Sequence, residues 1–389
     1  MSRFLFVVPP LVGHVNPTVS VAAELTARGH RVAWAGLPRF VEELAGPDAE
    51  VYPCEVPGLL ERPPKLRGAG ALQFLWQEFF VPLAEAMAPG VRRAAEEFGP
   101  DVLVADQQTL AGALVAERLG IPWVTSSTTS AEFSDALDGM PKIGEWITGL
   151  VQDLRRRIGD PRLAHDPRFS PDLVLAFTTP ELAGDCPATP QVRFVGPAIG
   201  RRPAGDFPWE WLDERRATVV VSLGTANTDV GARFLTECAA AVRERGHRIQ
   251  AVIADPGGVL DAESDTAVLV QPRIPQLPLL ERASAVVSHA GHNTVAESLW
   301  HGVPLVVAPI RDDQPLIAAQ VTAAGAGVRV RFARSGRRQI GAALDAVLDE
   351  PQHGDAARRI RDSFRAAGGA AAAAAHLEKF AVEPPHRDQ

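Results

Sequence analysis

The chain has 389 residues, more than the roughly 250–300 at which a single core stops growing, so two domains of about 200 residues each are expected. With 46% hydrophobic and 22% charged residues, and 33 each of Gly and Pro, the composition is globular rather than disordered or fibrous. A formal net charge of −8 gives no overall basic field for a nucleic-acid backbone, and Cys54, Cys186 and Cys238 form no CxxC pair, which argues against a disulfide framework or thiolate metal site and fits a reducing cytoplasm.

In chain order, the short run Phe4–Val8 meets Pro9-Pro10 and lacks the apolar length and cleavage site of a signal peptide, so it reads as a first strand. Asn16 as a cap, Pro17 at the first helical position and Gly29 after the last turn mark a helix, and a second strand by about residue 35 completes a βαβ opening. Asp101–Ala105 and Trp123–Thr125 continue the buried-strand pattern, with Leu110–Leu119 as the helical crossover between them. A parallel sheet covered by helices follows. Residues 196–210 break this pattern with Gly, Pro and charge, and strand-like runs at Thr218–Leu223, Arg248–Ala254, Ala267–Val270, Ala285–Ser288 and Leu305–Ala308 then alternate with helical stretches. The division expected is an N-terminal domain over 1–200, a linker over 201–215, a C-terminal domain over 216–365, and an Ala-rich terminal helix with a frayed tail over 366–389. No segment approaches the roughly 20 uninterrupted apolar residues of a spanning helix, so a soluble, cytoplasmic protein is expected.

Chemistry concentrates where open α/β sheets place their ligands, at the carboxyl ends of strands. His14, in Gly13-His14-Val15-Asn16-Pro17, follows the first strand, and Asp106 follows Asp101–Ala105 on the same edge. An imidazole held by a carboxylate suits removal of a proton from a hydroxyl nucleophile. The same positions equally suit a His14 bonded to loop backbone and an Asp106 capping the next helix. In the second half, Ser288-His289-Ala290-Gly291-His292-Asn293-Thr294 runs from a strand end through a tight turn into a helix, where free amides and the helix dipole favour a diphosphate. Gly291 allows close backbone approach and His289 adds a donor. Thr294 and Glu297 also have the spacing of a capping box, which needs no ligand.

Asp312-Asp313-Gln314 is placed on the loop after Val303–Pro309, where Asp313 and Gln314 can grip sugar hydroxyls or simply be solvated. Phe74, Trp76, Phe80, Phe133 and Trp146 belong to an aromatic set in the first half that suits either an apolar acceptor pocket or core. No Asp-x-Asp motif or His/Cys cluster has metal-ligand spacing, so metal-independent chemistry is expected, and Gly325-Ala326-Gly327 lacks the spacing of a dinucleotide fingerprint.

Taken in order, Gly13-His14, Asp106, Val195-Gly196-Pro197, Ser222-Leu223-Gly224-Thr225, Pro275-Gln276 and the 289–314 segment resemble the family 1 glycosyltransferases of the GT-B fold, which include bacterial natural-product glycosyltransferases. The resemblance spans nearly the whole chain. It implies two facing Rossmann-like, doubly wound domains with a cleft between them and a final helix packing back on the first domain. It implies that His14 is the general base, oriented by Asp106, and that Thr225, His289, Gly291, Asn293 and Thr294 bind the donor diphosphate. Arg273, Ile274, Gln276 and Glu297 would face the base and ribose, and Asp313 with Gln314 the transferred sugar. Two positions depart from the family pattern: Arg273 stands where a base-stacking Trp is usual, and Ile317 where an Asn is common. A guanidinium plane can stack on a base, so the choice between uridine and thymidine donors stays open.

The expected function is therefore inverting transfer from a UDP- or TDP-sugar to a hydroxyl of a small apolar natural product, with no cofactor beyond that co-substrate, by a monomer or homodimer. The alternatives are a catalytically silent nucleotide-sugar-binding partner protein and a nucleotide-sugar epimerase of the same fold.

Overall fold

The computed structural model describes residues 1–58, 66, 68–133, 140–184, 186, 189–200, 206–224, 231–260 and 264–383. The chain divides into two units, one formed by 1–178, 187–200 and 367–389, the other by 179–186 and 201–366.

The first unit is built on β1 (Arg3–Val7), α1 (Val12–Ala27), β2 (Arg31–Gly36), α2 (Pro38–Ala45), β3 (Val51–Pro53), α3 (Gly68–Phe74), α4 (Val81–Phe98), β4 (Val102–Asp106), α5 (Leu110–Leu119), β5 (Trp123–Ser127), α6 (Pro141–Ile158) and β6 (Val174–Ala176). After α7 (Pro180–Ala183), which belongs to the second unit, β7 (Val192–Phe194) closes the sheet. Its strands run in the order β3-β2-β1-β4-β5-β6-β7, all parallel. The central strands β1 and β4 are almost unbroken apolar runs because both their faces are buried. Phe4, Phe6, Val102, Val104 and Val124 point to one face, with Val21 and Leu25 of α1. Leu5, Val7, Leu103 and Ala105 point to the other, with Met87 and Val91 of α4 and Leu114 of α5.

Helix α1 begins at Val12, with Pro17 inside it, rather than at Pro17 as its sequence suggests. A proline six residues into a helix removes one hydrogen bond, and the first turn forms without it through the amides of His14 and Val15, both donating to the Leu11 carbonyl. His14 thus lies in the first helical turn rather than in a loop. Between α3 and α4, Leu75–Phe80 winds as a π-helix.

The second unit comprises α7, β8 (Ala217–Ser222), α8 (Ala232–Arg243), β9 (Ile249–Ala254), β10 (Val268–Gln271), α9 (Gln276–Leu280), β11 (Ala285–Ser288), α10 (His292–Trp300), β12 (Leu305–Val307), α11 (Gln314–Ala323), β13 (Gly327–Arg329), α12 (Arg337–Asp349) and α13 (Pro351–Ala367). Its parallel sheet has the order β10-β9-β8-β11-β12-β13. Gly368, at φ 90°, ends α13 and lets α14 (Gly369–Val382) start in a new direction. Helix α14 belongs to the first unit, where Ala373, Ala374, Leu377 and Phe380 bury against the α1 face and Glu378 accepts from Arg28 at 2.8 Å.

In each sheet the strand order reverses once, between β1 and β4 and between β8 and β11. At such a point the following loops diverge to opposite faces and leave a crevice at the carboxyl edge.

Candidate active site

Both clusters of candidate residues sit at these reversal points. In the first unit, α1 carries His14 just beyond the end of β1, and Asp106 is the last residue of β4. The His14 Nδ1 lies 3.0 Å from Asp106 Oδ1 and 2.9 Å from Oδ2. The Asp106 side chain is fully buried, whereas that of His14 keeps 14% of its surface exposed. The pair is a buried carboxylate behind a partly open imidazole, the arrangement that orients a base and stabilises its protonated form. Asp106 Oδ1 also accepts from the Gln108 amide at 2.9 Å.

Sequence reading did not single out Thr128. Its hydroxyl lies 2.7 Å from His14 Nδ1 and donates to Asp106 Oδ2 at 3.0 Å. The register pairs Asp106 with Ser126 on β5, and alternation returns the next residue but one, Thr128, to the same face. A run of six hydroxyl residues, Thr125 to Ser130, all buried, was the available signal.

In the second unit, β11 leads through His289, Ala290 and Gly291 into α10. Gly291 is the N-cap, and no side chain caps this end of the helix. Thr294 is therefore the third helical residue rather than an N-cap, and the Thr294–Glu297 capping box suggested by spacing does not form. Glu297, 2% exposed, instead accepts from Gln276 Nε2 at 2.6 Å, which brings together two residues expected at the base and ribose. With no side-chain cap, the positive dipole end of α10 suits an anion. Asn293 is part-exposed on that turn.

The His289 ring packs against Gly224 and Gly291: a side-chain carbon would lie 2.8 Å from its Cε1 at the first and 2.3 Å from its Nε2 at the second. Both glycines are needed for the imidazole to fit. Burial first lowers the His289 pKa to about 4, opposed by a hydrogen bond to the Ser222 backbone and helped to a smaller extent by the nearby Arg311 cation, so the ring is neutral near pH 7. Arg311, a second residue that sequence reading passed over, adds positive charge near the turn. Ala290 stands at φ 67°, a conformation that favours glycine.

Gln314 is 7% exposed, and its Oε1 accepts from the amides of Ile310 and Arg311 at 2.9 and 3.0 Å, so this oxygen shapes the loop. Asp313, part-exposed, is the N-cap of α11. Arg273 is exposed and Ile274 part-buried on the loop between β10 and α9. Thr225 lies outside the described residues.

The aromatic set divides. Trp76 and Phe80, 1% and 7% exposed, meet edge-on with ring centroids 5.3 Å apart and pack in the first unit's core. Trp146 is partly buried on α6 against the same core. Phe74 is half-buried at the end of α3, and Phe133 is half-buried between Phe169 and Phe194 at 6.2 and 5.7 Å. Among the described residues no group of three or more His, Cys, Asp or Glu is gathered to hold a metal ion, and no helix is long and apolar enough to cross a membrane.

The chain matches two family models, one described as UDP-glucoronosyl and UDP-glucosyl transferase over residues 183–362 and one as glycosyl transferase 4-like domain over 13–166. It is 32% identical over 410 residues to the 4'-demethylrebeccamycin synthase of Lentzea aerocolonigenes, covering 94% of this chain and 96% of that protein. It is 26% identical to the NDP-glycosyltransferase YjiC of Bacillus subtilis, with 95% of each covered. Among solved structures, the glycosyltransferase of kitacinnamycin aligns with TM-score 0.83 and 27% identity, covering 97% of this chain and 98% of that one.

Proposed function

We propose, from the premise that this chain belongs to the family 1 glycosyltransferases of the GT-B fold, that it transfers a sugar with inversion from a uridine or thymidine diphosphate donor to a hydroxyl of a small apolar natural product. The observation that carries this reading is the bond from His14 to the buried Asp106 carboxylate at the β1–β4 reversal point. With its Nδ1 proton held by Asp106, His14 takes the acceptor's hydroxyl proton on Nε2 while that oxygen attacks the anomeric carbon. The bond from that carbon to the diphosphate oxygen breaks, and the electron pair leaves with the nucleotide.

The first-turn amides of α10 and the charge of Arg311 support the departing diphosphate, with His289 packed beneath the turn that presents them, and we assign that step to these protein groups rather than to a metal ion. Gln276 and Glu297, bonded to each other, serve the ribose and base, with Arg273 and Ile274 beside them on the preceding loop, while Asp313 and Gln314 serve the sugar. Phe133 and Phe74, which keep exposed surface, are assigned to the acceptor. Conversion of an α-linked donor to a β-linked product is carried over from the family. The names of the relatives support a natural-product acceptor and a nucleoside diphosphate donor. A silent sugar-nucleotide-binding partner would leave this assembled dyad without a use.

The test is a mass-spectrometric screen of the wild type and of His14→Ala, each incubated with UDP- and TDP-sugars and a pool of hydroxylated natural products. The wild type is expected to add one sugar mass to an acceptor. The variant is expected to lose on the order of 10²–10⁴ of that rate while still binding the donor nucleotide. Equal rates in the two proteins would overturn the role of His14, and a wild type that binds a nucleotide sugar without transferring it would favour the silent partner.

A further inference from the structure

The hydroxyl of Thr128 closes a three-membered ring of polar groups around the base. Asp106 Oδ2, Thr128 Oγ1 and His14 Nδ1 lie 3.0, 2.7 and 2.9 Å from one another in turn. All but the imidazole edge is withdrawn from solvent, with Asp106 and Thr128 at 1% and 3% exposure.

Counting protons in this ring fixes their positions. An ionised carboxylate only accepts, so the Thr128 hydrogen must point at Oδ2; otherwise two oxygens would face each other at 3.0 Å with no proton between them. With that hydrogen committed, Oγ1 turns a lone pair toward Nδ1 at 2.7 Å. An unprotonated Nδ1 would then meet lone pairs from Oγ1 and from both carboxylate oxygens. The proton therefore sits on Nδ1, which leaves Nε2 unprotonated. Asp106 alone favours the same tautomer, but a hydroxyl released from the carboxylate could donate to Nδ1 and support the inactive one. The bond from Thr128 to Asp106 removes that alternative and holds the ring from a third direction.

We infer that Thr128 is a positioning residue of the base, which holds His14 through Asp106 in the tautomer able to accept a proton at Nε2. The inference rests on the assignment of His14 as the base. It needs no contact between Thr128 and either substrate, which separates it from a binding role. The conservative change is Thr128→Ser, which keeps the hydroxyl. Thr128→Val keeps the shape and deletes the hydroxyl, leaving Oδ2 with one donor fewer.

Two measurements on the full chain test this. In steady-state transfer, Thr128→Val should lower kcat about tenfold with both KM values within about twofold of wild type, and Thr128→Ser should restore kcat to within about twofold. In long-range ¹H–¹⁵N spectra of protein labelled at histidine nitrogen, with the His14 signal identified by its loss in His14→Ala, wild type and Thr128→Ser should carry the proton on Nδ1. In Thr128→Val the proton should stay on Nδ1, because Asp106 alone favours that tautomer, while its signal shifts as Oδ2 loses a donor. A wild-type kcat in Thr128→Val overturns the inference, as does a Thr128→Ser variant as impaired as Thr128→Val, or a wild-type His14 protonated on Nε2. A raised KM at unchanged kcat also overturns it, by making Thr128 a ligand contact. A wild type that transfers to no acceptor would count against the proposed function, while the spectra would still decide the tautomer.

Discussion

Burial of His289 against two glycines has an electrostatic cost that appears as pH dependence. Its pKa is lowered from the ordinary 6.5 to about 4, with burial as the main cause. Above pH 6.5 the group is neutral in both folded and unfolded chains. Between 6.5 and 4 only the unfolded chain takes up the proton, so stability falls as the pH drops through that window. From pH 7 to pH 5 this one group should remove about 2 kcal/mol from the stability of the second unit. His289→Asn retains polarity without titrating there, so its loss between the two pH values should be smaller by that amount in urea unfolding. His301 and His376, whose pKa values burial also lowers, act in the same direction and are present in both proteins, so the difference isolates His289. The same loss in both proteins would show that His289 is not held neutral by burial. The sequence exposed His289 and Gly291 as a strand-end pair, but it assigned the glycine's open space to a phosphate. The space against Gly291 is taken by the imidazole two residues earlier, a contact that spacing cannot reveal. Thr128 escaped for a related reason. Its importance comes from a strand register that pairs β4 with β5, and nothing in its own neighbourhood distinguishes it from the five hydroxyl residues around it.

The N-terminus of α10 combines two features that set helix stability and ligand affinity against each other. It has no side-chain cap and no acidic residue in its first turn. A carboxylate there would favour the empty helix through the dipole by about 0.3–1 kcal/mol. The same charge would repel a diphosphate. Asn293→Asp should therefore raise the melting temperature of the free protein slightly and weaken the binding of UDP or TDP about tenfold or more. Thermal unfolding with and without each nucleotide reads both signs. Undiminished nucleotide stabilisation in the variant would remove this turn from the diphosphate site. Elements of this kind were legible because strand, turn and helix each carry their own signature: β11 falls at Ala285–Ser288, as its apolar run suggests, and β4 and β8 differ from their expected bounds by one residue at each end. Among the three-residue strands, β12 was legible because it sits in the longer apolar run Leu305–Ala308, whereas β3, β7 and β13 have too few residues to display a period and no such run to mark them. Nor was the pairing of α5 with α6 through Glu117 and Arg155, whose fully buried side chains form two hydrogen bonds at 3.1 and 3.2 Å. Two charged residues 38 apart give no sign in sequence that each is the other's partner.

At the scale of the whole chain, the two units are not two consecutive stretches. Composition marks the break near residue 200, but 179–186 belong to the second unit and 367–389 to the first. Long-range contacts make these assignments: Ser363 Oγ donates to Thr179 Oγ1 at 2.6 Å or to Glu181 Oε2 at 2.7 Å, and the Gly369 amide donates to the Val195 carbonyl at 2.6 Å. The consequence is that the last helix is a structural part of the unit that holds His14. Helix α14 buries Leu377 completely and leaves Phe380 8% exposed, while Glu378 bonds both Arg28 and His30. Removing the two large side chains alone costs about 3–6 kcal/mol by burial, a large part of the 5–15 kcal/mol that typically holds a domain together. Truncation after Gly368 should therefore strip hydrogen-exchange protection from α1, β1 and β2, and with it transfer activity. Strands β8, β9 and β11 of the second unit should keep theirs, because their core of Val219, Val221, Ile253 and Val287 contains no residue of α14. An α1 that stays as protected in the truncated chain as in the full one would show that α14 covers this face without supporting it. Loss of protection spread equally over both sheets would show that the two units unfold as one.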